Sequence, residues 1–255
     1  MQFSQTAVEA ATILAERRHN GAQGERLPDA CRPTEVAAAL AIQQAVSARI
    51  GDAIGGWKCA LPADGNPVLG PIYAASIFNR MPCPAWAHRG DVRIEPELAF
   101  ILGQDLPARA TPYAEAEVDA AVARTHLALE LIDSRYETPE LVPFLEHLAD
   151  GLLNQGLYLG PEVDAARGAA STTLAIELRS GAGAPVHLDG RHPATLPRAP
   201  LYWLVEFLRQ RGQGLTAGQA IITGSYAGSV TVPLGREIEI AFGALGVLTV
   251  HFQAR

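Results

Sequence analysis

Arg93-Ile-Glu-Pro-Glu-Leu-Ala-Phe-Ile-Leu102 and Leu127-Ala-Leu-Glu-Leu-Ile132 decide how this chain is read. In the first stretch Ile94, Leu98, Phe100 and Leu102 take the even positions, and Arg93, Glu95 and Glu97 the odd ones. That alternation is the period of a strand with one buried face. It sets Glu95 and Glu97 side by side on the other face, about 7 Å apart at their Cα atoms. Such a pair is also what a solvated face looks like. The second stretch reads as a strand buried on both faces, with Glu130 inside it. An unpaired carboxylate there is costly or must stay protonated. A divalent cation held by Glu95, Glu97 and Glu130 removes that cost. With no Cys and no His in either stretch, the ligands are hard oxygens, which suit Mg²⁺ or Mn²⁺ better than zinc or copper.

Working outward, 255 residues can form one large domain or two smaller ones. An apolar fraction of 48% and a charged fraction of 18% are those of a soluble globular protein. The formal charge of -7, with no offsetting basic cluster, argues against nucleic-acid binding. Residues 1–20 mix polar and apolar side chains, so they read as neither a signal peptide nor a membrane span. They read as an amphipathic helix with Phe3, Ala7, Ala11 and Leu14 on one side. Cys31, Cys59 and Cys83 show no metal or redox spacing, which points to a reduced, cytoplasmic protein.

A second helix is expected from an N-cap at Thr34 through Val46, and a third from Thr111-Pro112, with Glu115 in its first turns. Gly55–Leu61 reads as a short strand leading into a Pro- and Gly-rich loop. Leu201, Leu204, Val205 and Leu208 mark a helix that Gly212 ends. The last quarter is β: Ala220–Thr223, then Ile238, Ile240 and Phe242 alternating, a turn at Gly243–Gly246, and Val247–Phe252. Helices early and strands late predict an α+β fold with a mixed or mainly antiparallel core. A boundary near Arg89-Gly90 would divide a helical N-terminal region with the lysine strand (1–89) from a β-rich catalytic body (90–255), unless the two form one continuous domain.

Lys58, the chain's single lysine, lies in an apolar strand between Trp57 and Cys59. It reads either as a snorkelling surface lysine or as a cation placed to bind a substrate carboxylate or serve as acid or base. Gly224-Ser-Tyr-Ala-Gly228 is no nucleophile elbow, because its serine is one position early. Gly224 and Ser225 form either a plain tight turn or a cradle of N–H groups for an anionic substrate. His126 reads as a core histidine or a group behind the metal. Asp133 and Arg135 read as a structural ion pair.

Together Gly55-Gly-Trp-Lys58, Glu95-Pro-Glu-Leu-Ala-Phe100, Leu129-Glu-Leu-Ile-Asp-Ser-Arg135, Gly156-Leu-Tyr-Leu-Gly160 and Ala220-Ile-Ile-Thr-Gly-Ser225 resemble the 2-keto-4-pentenoate hydratase / 4-oxalocrotonate decarboxylase family, within the fumarylacetoacetate hydrolase superfamily. The resemblance implies a mixed β-roll body of the fumarylacetoacetate hydrolase C-terminal type with a small helical N-terminal region. It implies Mg²⁺ or Mn²⁺ at Glu95, Glu97 and Glu130, and Lys58 close to a bound 2-oxo acid. It also implies a homo-oligomer, no membrane or nucleic-acid partner, and a place in aromatic-compound catabolism.

The chain departs from that family where protons are handled. Val68 stands where the family carries an Asp, Pro62 where it carries Ser or Thr, and Asp150-Gly-Leu-Leu-Asn154 replaces an Asp-Asn-Ala-Ser segment. Three readings follow. The first is a metal-dependent hydratase of 2-hydroxy-2,4-dienoates or 2-oxo-3-enoates. The second is a decarboxylase or C–C hydrolase built on the same enolate chemistry. The third is a non-catalytic partner subunit or small-molecule binder.

Overall fold

A computed structural model describes residues 3–255. Two helices open the chain, α1 (Gln5–Asn20) and α2 (Val36–Ile50). Strands β1 (Ile54–Ala63), β2 (Asn66–Tyr73), β3 (Ile77–Phe78), β4 (Cys83–Ala85) and β5 (Asp91–Leu102) follow. Helix α3 (Glu115–Ala121) runs into β6 (Val122–Ile132), and α4 (Phe144–Ala149) leads to β7 (Asn154–Val163). Next come α5 (Ala165–Ala170), β8 (Thr173–Ser180), β9 (Val186–Arg191) and α6 (Ala199–Arg209). The chain ends in β10 (Ala220–Ile222), β11 (Val230–Pro233), β12 (Glu237–Phe242) and β13 (Val247–Ala254).

The strands form two sheets. The larger runs β2-β1-β10-β5-β6-β7-β3, with β11 also paired to β5, and the smaller runs β4-β13-β12-β8-β9. In the larger sheet β1–β10 and β3–β7 are parallel and the other pairs antiparallel. The sheet curls until β2 comes against β7. The expected α+β fold with a mixed β body is what the chain adopts. The sheet also crosses the Arg89-Gly90 boundary, since β1 and β3 pair with strands far beyond it.

Alternation along β5 sorts its side chains between two cores. Ile94, Leu98, Phe100 and Leu102 enter the main core, shared with α1, α2, α6 and the second sheet. Ala99 and Ile101 point the other way, into a smaller cluster with Ala128, Leu157, Ala220 and Ile222. Both faces of the sheet centre are therefore covered, which is why β6 reads as an unbroken apolar run. The acids lie on the second face, next to the smaller cluster.

Three local expectations shift. Helix α1 buries Ala7, Ala10, Ala11 and Leu14 as the periodicity requires, and Ser4 caps it. Helix α2 starts at Val36, after an extended Glu35 and with no side-chain cap, so Thr34 is not its N-cap. Residues 111–113 are loop, because Arg109 ties down the Thr111 and Pro112 carbonyls. Helix α3 begins at Glu115, where the Glu117 carboxylate accepts the Ala114 N–H at 2.8 Å. The Pro- and Gly-rich stretch after β1 is not a loop but strand β2. Its prolines are tolerated because β2 is a sheet edge, where half the N–H groups need no ladder partner.

Candidate metal centre

The β5–β6 register sets Glu95 directly opposite Glu130, and Glu97 opposite Ala128. One carboxylate oxygen from each of Glu95, Glu97 and Glu130 lies within 4.8 Å of the other two. Glu97 and Glu130 are buried and Glu95 is half-buried. Glu130 Oε1 receives the Asn154 side-chain amide at 2.9 Å and stands 2.7 Å from Lys58 Nζ. Glu130 Oε2 is buried with no hydrogen-bond partner among the described residues. A bare carboxylate oxygen in the interior is expensive, and two further carboxylates beside it add repulsion. An oxygen-only donor set with one unclaimed oxygen fits a hard divalent cation.

The neighbour of β5 at these acids is split, with one backbone bond between its halves, from the Tyr226 N–H to the Pro96 carbonyl at 3.0 Å. Strand β10 pairs with residues 99–101 and β11 with residues 91–94, so the chain between them swings away around Glu97. At that departure the Gly224 N–H donates to Glu97 Oε2 at 2.7 Å. Gly224 has φ 130°, and a Cβ there would sit 2.6 Å from the Pro193 ring, so only glycine fits. Ser225 Oγ donates to the Gly228 carbonyl at 2.9 Å and lies 3.3 Å from the Pro96 carbonyl. The Gly224 N–H is thus engaged by Glu97, and the Ser225 hydroxyl by its own loop.

Lys58 is the only lysine in the chain. It pairs with Ile222 of β10, which in turn pairs with Ala99 of β5, so it shares the face of Glu95 and Glu97. Trp57 and Cys59 point into the main core. The Lys58 ammonium also donates to the Leu152 carbonyl at 3.0 Å. Burial on its own pulls the lysine pKa down, but Glu130, Glu95 and Glu97 outweigh that and raise it. The side chain is therefore an ammonium at neutral pH. Burial, and then the Glu130 charge, pushes the Glu95 carboxyl up, opposed by Lys58 and Arg93. Glu97 is held well above the usual range by burial, then by Glu130 and Glu95, with the Gly224 N–H opposing.

Sequence reasoning missed the groups that hold this arrangement. The loop after α4 supplies the Leu152 carbonyl and the Asn154 amide, and its backbone is left-handed at Gly151, Leu152 and Leu153 (φ 82°, 55° and 67°). No composition signal marks two leucines in that conformation. Arg135 pairs not with Asp133 but with Asp150, Nε donating to Oδ2 at 2.7 Å, both side chains fully buried. Asp133 instead meets His88 Nε2 at 2.6 Å, just past the end of β6 at Ile132. His126 shares the site face, but its Nδ1 is bonded to the Gly160 carbonyl at 2.9 Å, two residue pairs from Glu130. Asp64 sits at the exposed tip of the β1–β2 turn. Val68 pairs with Ala60, on the Lys58 face of β2.

Comparison with known proteins bears out the resemblance carried by these motifs. A 2-keto-4-pentenoate hydratase from Dechloromonas aromatica is 26% identical over 160 residues, 63% of this chain and 60% of that protein. The match thus spans less than two thirds of that relative's length. A 4-oxalocrotonate decarboxylase from a Pseudomonas species is 29% identical over 194 residues, 68% of this chain and 69% of that one. The solved 4-oxalocrotonate decarboxylase of Pseudomonas putida G7, complexed with magnesium and adipate, superposes with a TM-score of 0.80 at 19% identity, covering 99% of both chains. A 2-hydroxyhepta-2,4-diene-1,7-dioate isomerase from Mycobacterium marinum gives a TM-score of 0.55 at 18% identity over 80% of this chain and 77% of that one. No protein-family model matches the chain. The chain is similar in sequence to these hydratases and decarboxylases, and its fold is of the fumarylacetoacetate hydrolase type. Among the described residues no helix is long and apolar enough to cross a membrane.

Proposed function

We propose that the protein is a divalent-cation-dependent lyase of the hydratase type. It would add water across the 3,4-double bond of a 2-oxo-3-enoate, formed from a 2-hydroxy-2,4-dienoate, to give a 4-hydroxy-2-oxo acid. One observation carries this reading: three clustered carboxylates, one with a buried and unpartnered oxygen, beside the chain's only lysine. Glu95, Glu97 and Glu130 would hold Mg²⁺ or Mn²⁺. The bound cation supplies Lewis-acid polarisation of the 2-oxo group.

The chain's own groups bind and orient. Lys58 is a fixed ammonium with two contacts, to Glu130 and to the Leu152 carbonyl. Its three donors leave one N–H for the substrate carboxylate. Its contacts to Glu130 and the Leu152 carbonyl suit Lys58 to that cationic role. Asn154 and the Gly224 N–H fix Glu130 and Glu97, so their oxygens stay converged without reorganisation. In the reaction C4 gains the hydroxyl and C3 the proton. An apolar side chain at Val68 cannot deliver that proton, so it comes from the water that is added.

The 4-oxalocrotonate decarboxylase relative supports a second reading, CO₂ loss from a 2-oxo acid bound in the same way. Turnover of 2-hydroxypenta-2,4-dienoate, followed by its ultraviolet absorbance with Mg²⁺ and again after chelation, tests the first. CO₂ release from a 2-oxoenedioate tests the second. Inertness toward both classes at several chain lengths would leave the binding-partner reading. The proposal includes a cytoplasmic homo-oligomer acting in aromatic-compound catabolism, and light scattering tests its assembly.

A further inference from the structure

Arg18 leaves the last turn of α1 and reaches the loop between α4 and β7. Its Nη1 donates to the Asn154 carbonyl at 2.7 Å and its Nη2 to the Asp150 carbonyl at 2.5 Å. The side chain is only 12% exposed. Those two carbonyls bracket Gly151, Leu152 and Leu153, all left-handed. Leucine keeps such a backbone only where its surroundings impose it. A planar, forked guanidinium is the side chain that can grip two carbonyls at once.

What the bracketed loop carries is the reason the grip matters. Leu152 offers its carbonyl to Lys58 at 3.0 Å, and Asn154 its amide to Glu130 at 2.9 Å. Behind it Asp150 is locked by Arg135. The other side of the loop rests on β2, where a Cβ on Gly70 would lie 2.7 Å from the Gly151 carbonyl. None of the hydrogen bonds of Arg18 goes to Lys58 or to the three acids.

We propose that Arg18 is a positioning residue for the site. By holding the Asp150 and Asn154 carbonyls it keeps the left-handed loop in the shape that aims the Leu152 carbonyl at Lys58 and the Asn154 amide at Glu130. The inference deepens the function proposed above, and only its kinetic arm rests on that function.

The test compares the full chain with Arg18→Met and Arg18→Lys. Because Lys58 is the only lysine, ¹⁵N-lysine labelling gives one side-chain ammonium signal, which reports on the loop directly. In Arg18→Met, amide exchange over residues 151–154 should accelerate about tenfold or more, with β5 and the inner turns of α1 unchanged. The Lys58 ammonium signal should move or broaden. Turnover should fall about tenfold with KM within about threefold, since the loss is of orientation rather than of substrate contact. Arg18→Lys, which can reach one carbonyl, should recover part of the exchange protection and turnover. Its added lysine gives a second ammonium signal, told from that of Lys58 by comparison with wild type. The variant supplies all three measurements if the Met variant does not fold. Unchanged exchange and an unmoved ammonium signal would overturn the proposal. So would equal loosening of α1 and the loop, which would mean that Arg18 only docks the helix. A wild-type protein inert toward every dienoate would overturn the hydratase reading, while exchange and the ammonium signal would still decide the role of Arg18.

Discussion

Glu95 and Glu130 face each other directly across two antiparallel strands, as a cross-strand pair of like charge. Such a pair destabilises a sheet even at the surface, and here Glu130 is fully buried. Asn154 and Lys58 offset part of that cost at one oxygen of Glu130 and nothing offsets it at the other. The sheet carries an electrostatic burden that a bound cation would relieve.

Mg²⁺ or Mn²⁺ should therefore raise the melting temperature, and chelation should reverse the rise. Ligand at about a hundred times its Kd stabilises by roughly 2.7 kcal/mol, which in a chain of this size is a shift of about 5–10 °C. Glu97→Gln keeps an acceptor for the Gly224 N–H but removes one of three charges. Its metal-free form should melt higher than wild type, and the metal-induced rise should vanish. A wild-type protein whose melting ignores both ions would end the metal reading.

Arg135 and Asp150 are both buried, and Arg135 donates to Asp150 through Nε. Removing one partner of such a pair costs about 3–5 kcal/mol where the other charge is left stranded, and here Asp150 keeps only the longer contact to Arg18 Nη2, at 3.5 Å. Arg135→Met should lower unfolding stability by that amount in urea. The loss should exceed that from Arg109→Met, whose partner Glu117 lies at the surface. Comparable losses in the two variants would show that Arg135 is not holding a buried charge.

The acids were legible in the sequence because alternation fixes a strand's faces, and because a charge inside an apolar run needs a partner. The C-terminal strands and α6 were legible for the same periodic reason. What stayed hidden depends on long-range register. Nothing local tells that β10 and β11 share the edge of β5, so the Gly224 contact to Glu97 could not be read. Leu152 acts through its carbonyl, which every residue has, and Arg135 passes over the nearby Asp133 for Asp150 in the loop after α4. The β2 prolines hid a strand because edge position is a property of the whole sheet.

His192 gives stability a pH dependence of known sign. It is buried beside Thr223 and Tyr226, and burial lowers its pKa from 6.5, opposed by the Ala194 backbone. Between the folded value and 6.5 the unfolded chain binds the proton and the folded chain does not. Stability is therefore lost as pH falls below 6.5, until the folded value is passed. Glu97, raised from 4.5, acts in the opposite sense, so absolute stability mixes the two. The difference between wild type and His192→Gln isolates the histidine. In metal-free urea titrations the wild-type advantage should be flat above neutrality and shrink on acidification through 6.5. An advantage that does not change with pH would mean that His192 titrates normally.

Lys58 separates substrate handling from metal handling. Its ammonium lies 2.7 Å from Glu130 and shares the face of the other two acids, so it competes with a cation for the same carboxylate oxygens. Lys58→Met keeps most of the apolar stem and removes the charge and the donors. Metal affinity should hold or rise, because a competing cation is gone. Turnover should fall about tenfold or more, the scale of one positioned charge-assisted or proton-handling group. Calorimetric titration with Mg²⁺ and dienoate turnover, run on one preparation, separate the two effects. Weaker metal binding with turnover reduced in proportion would mean that Lys58 only shapes the carboxylate cluster. Unaltered turnover would mean that Lys58 takes no part in the reaction.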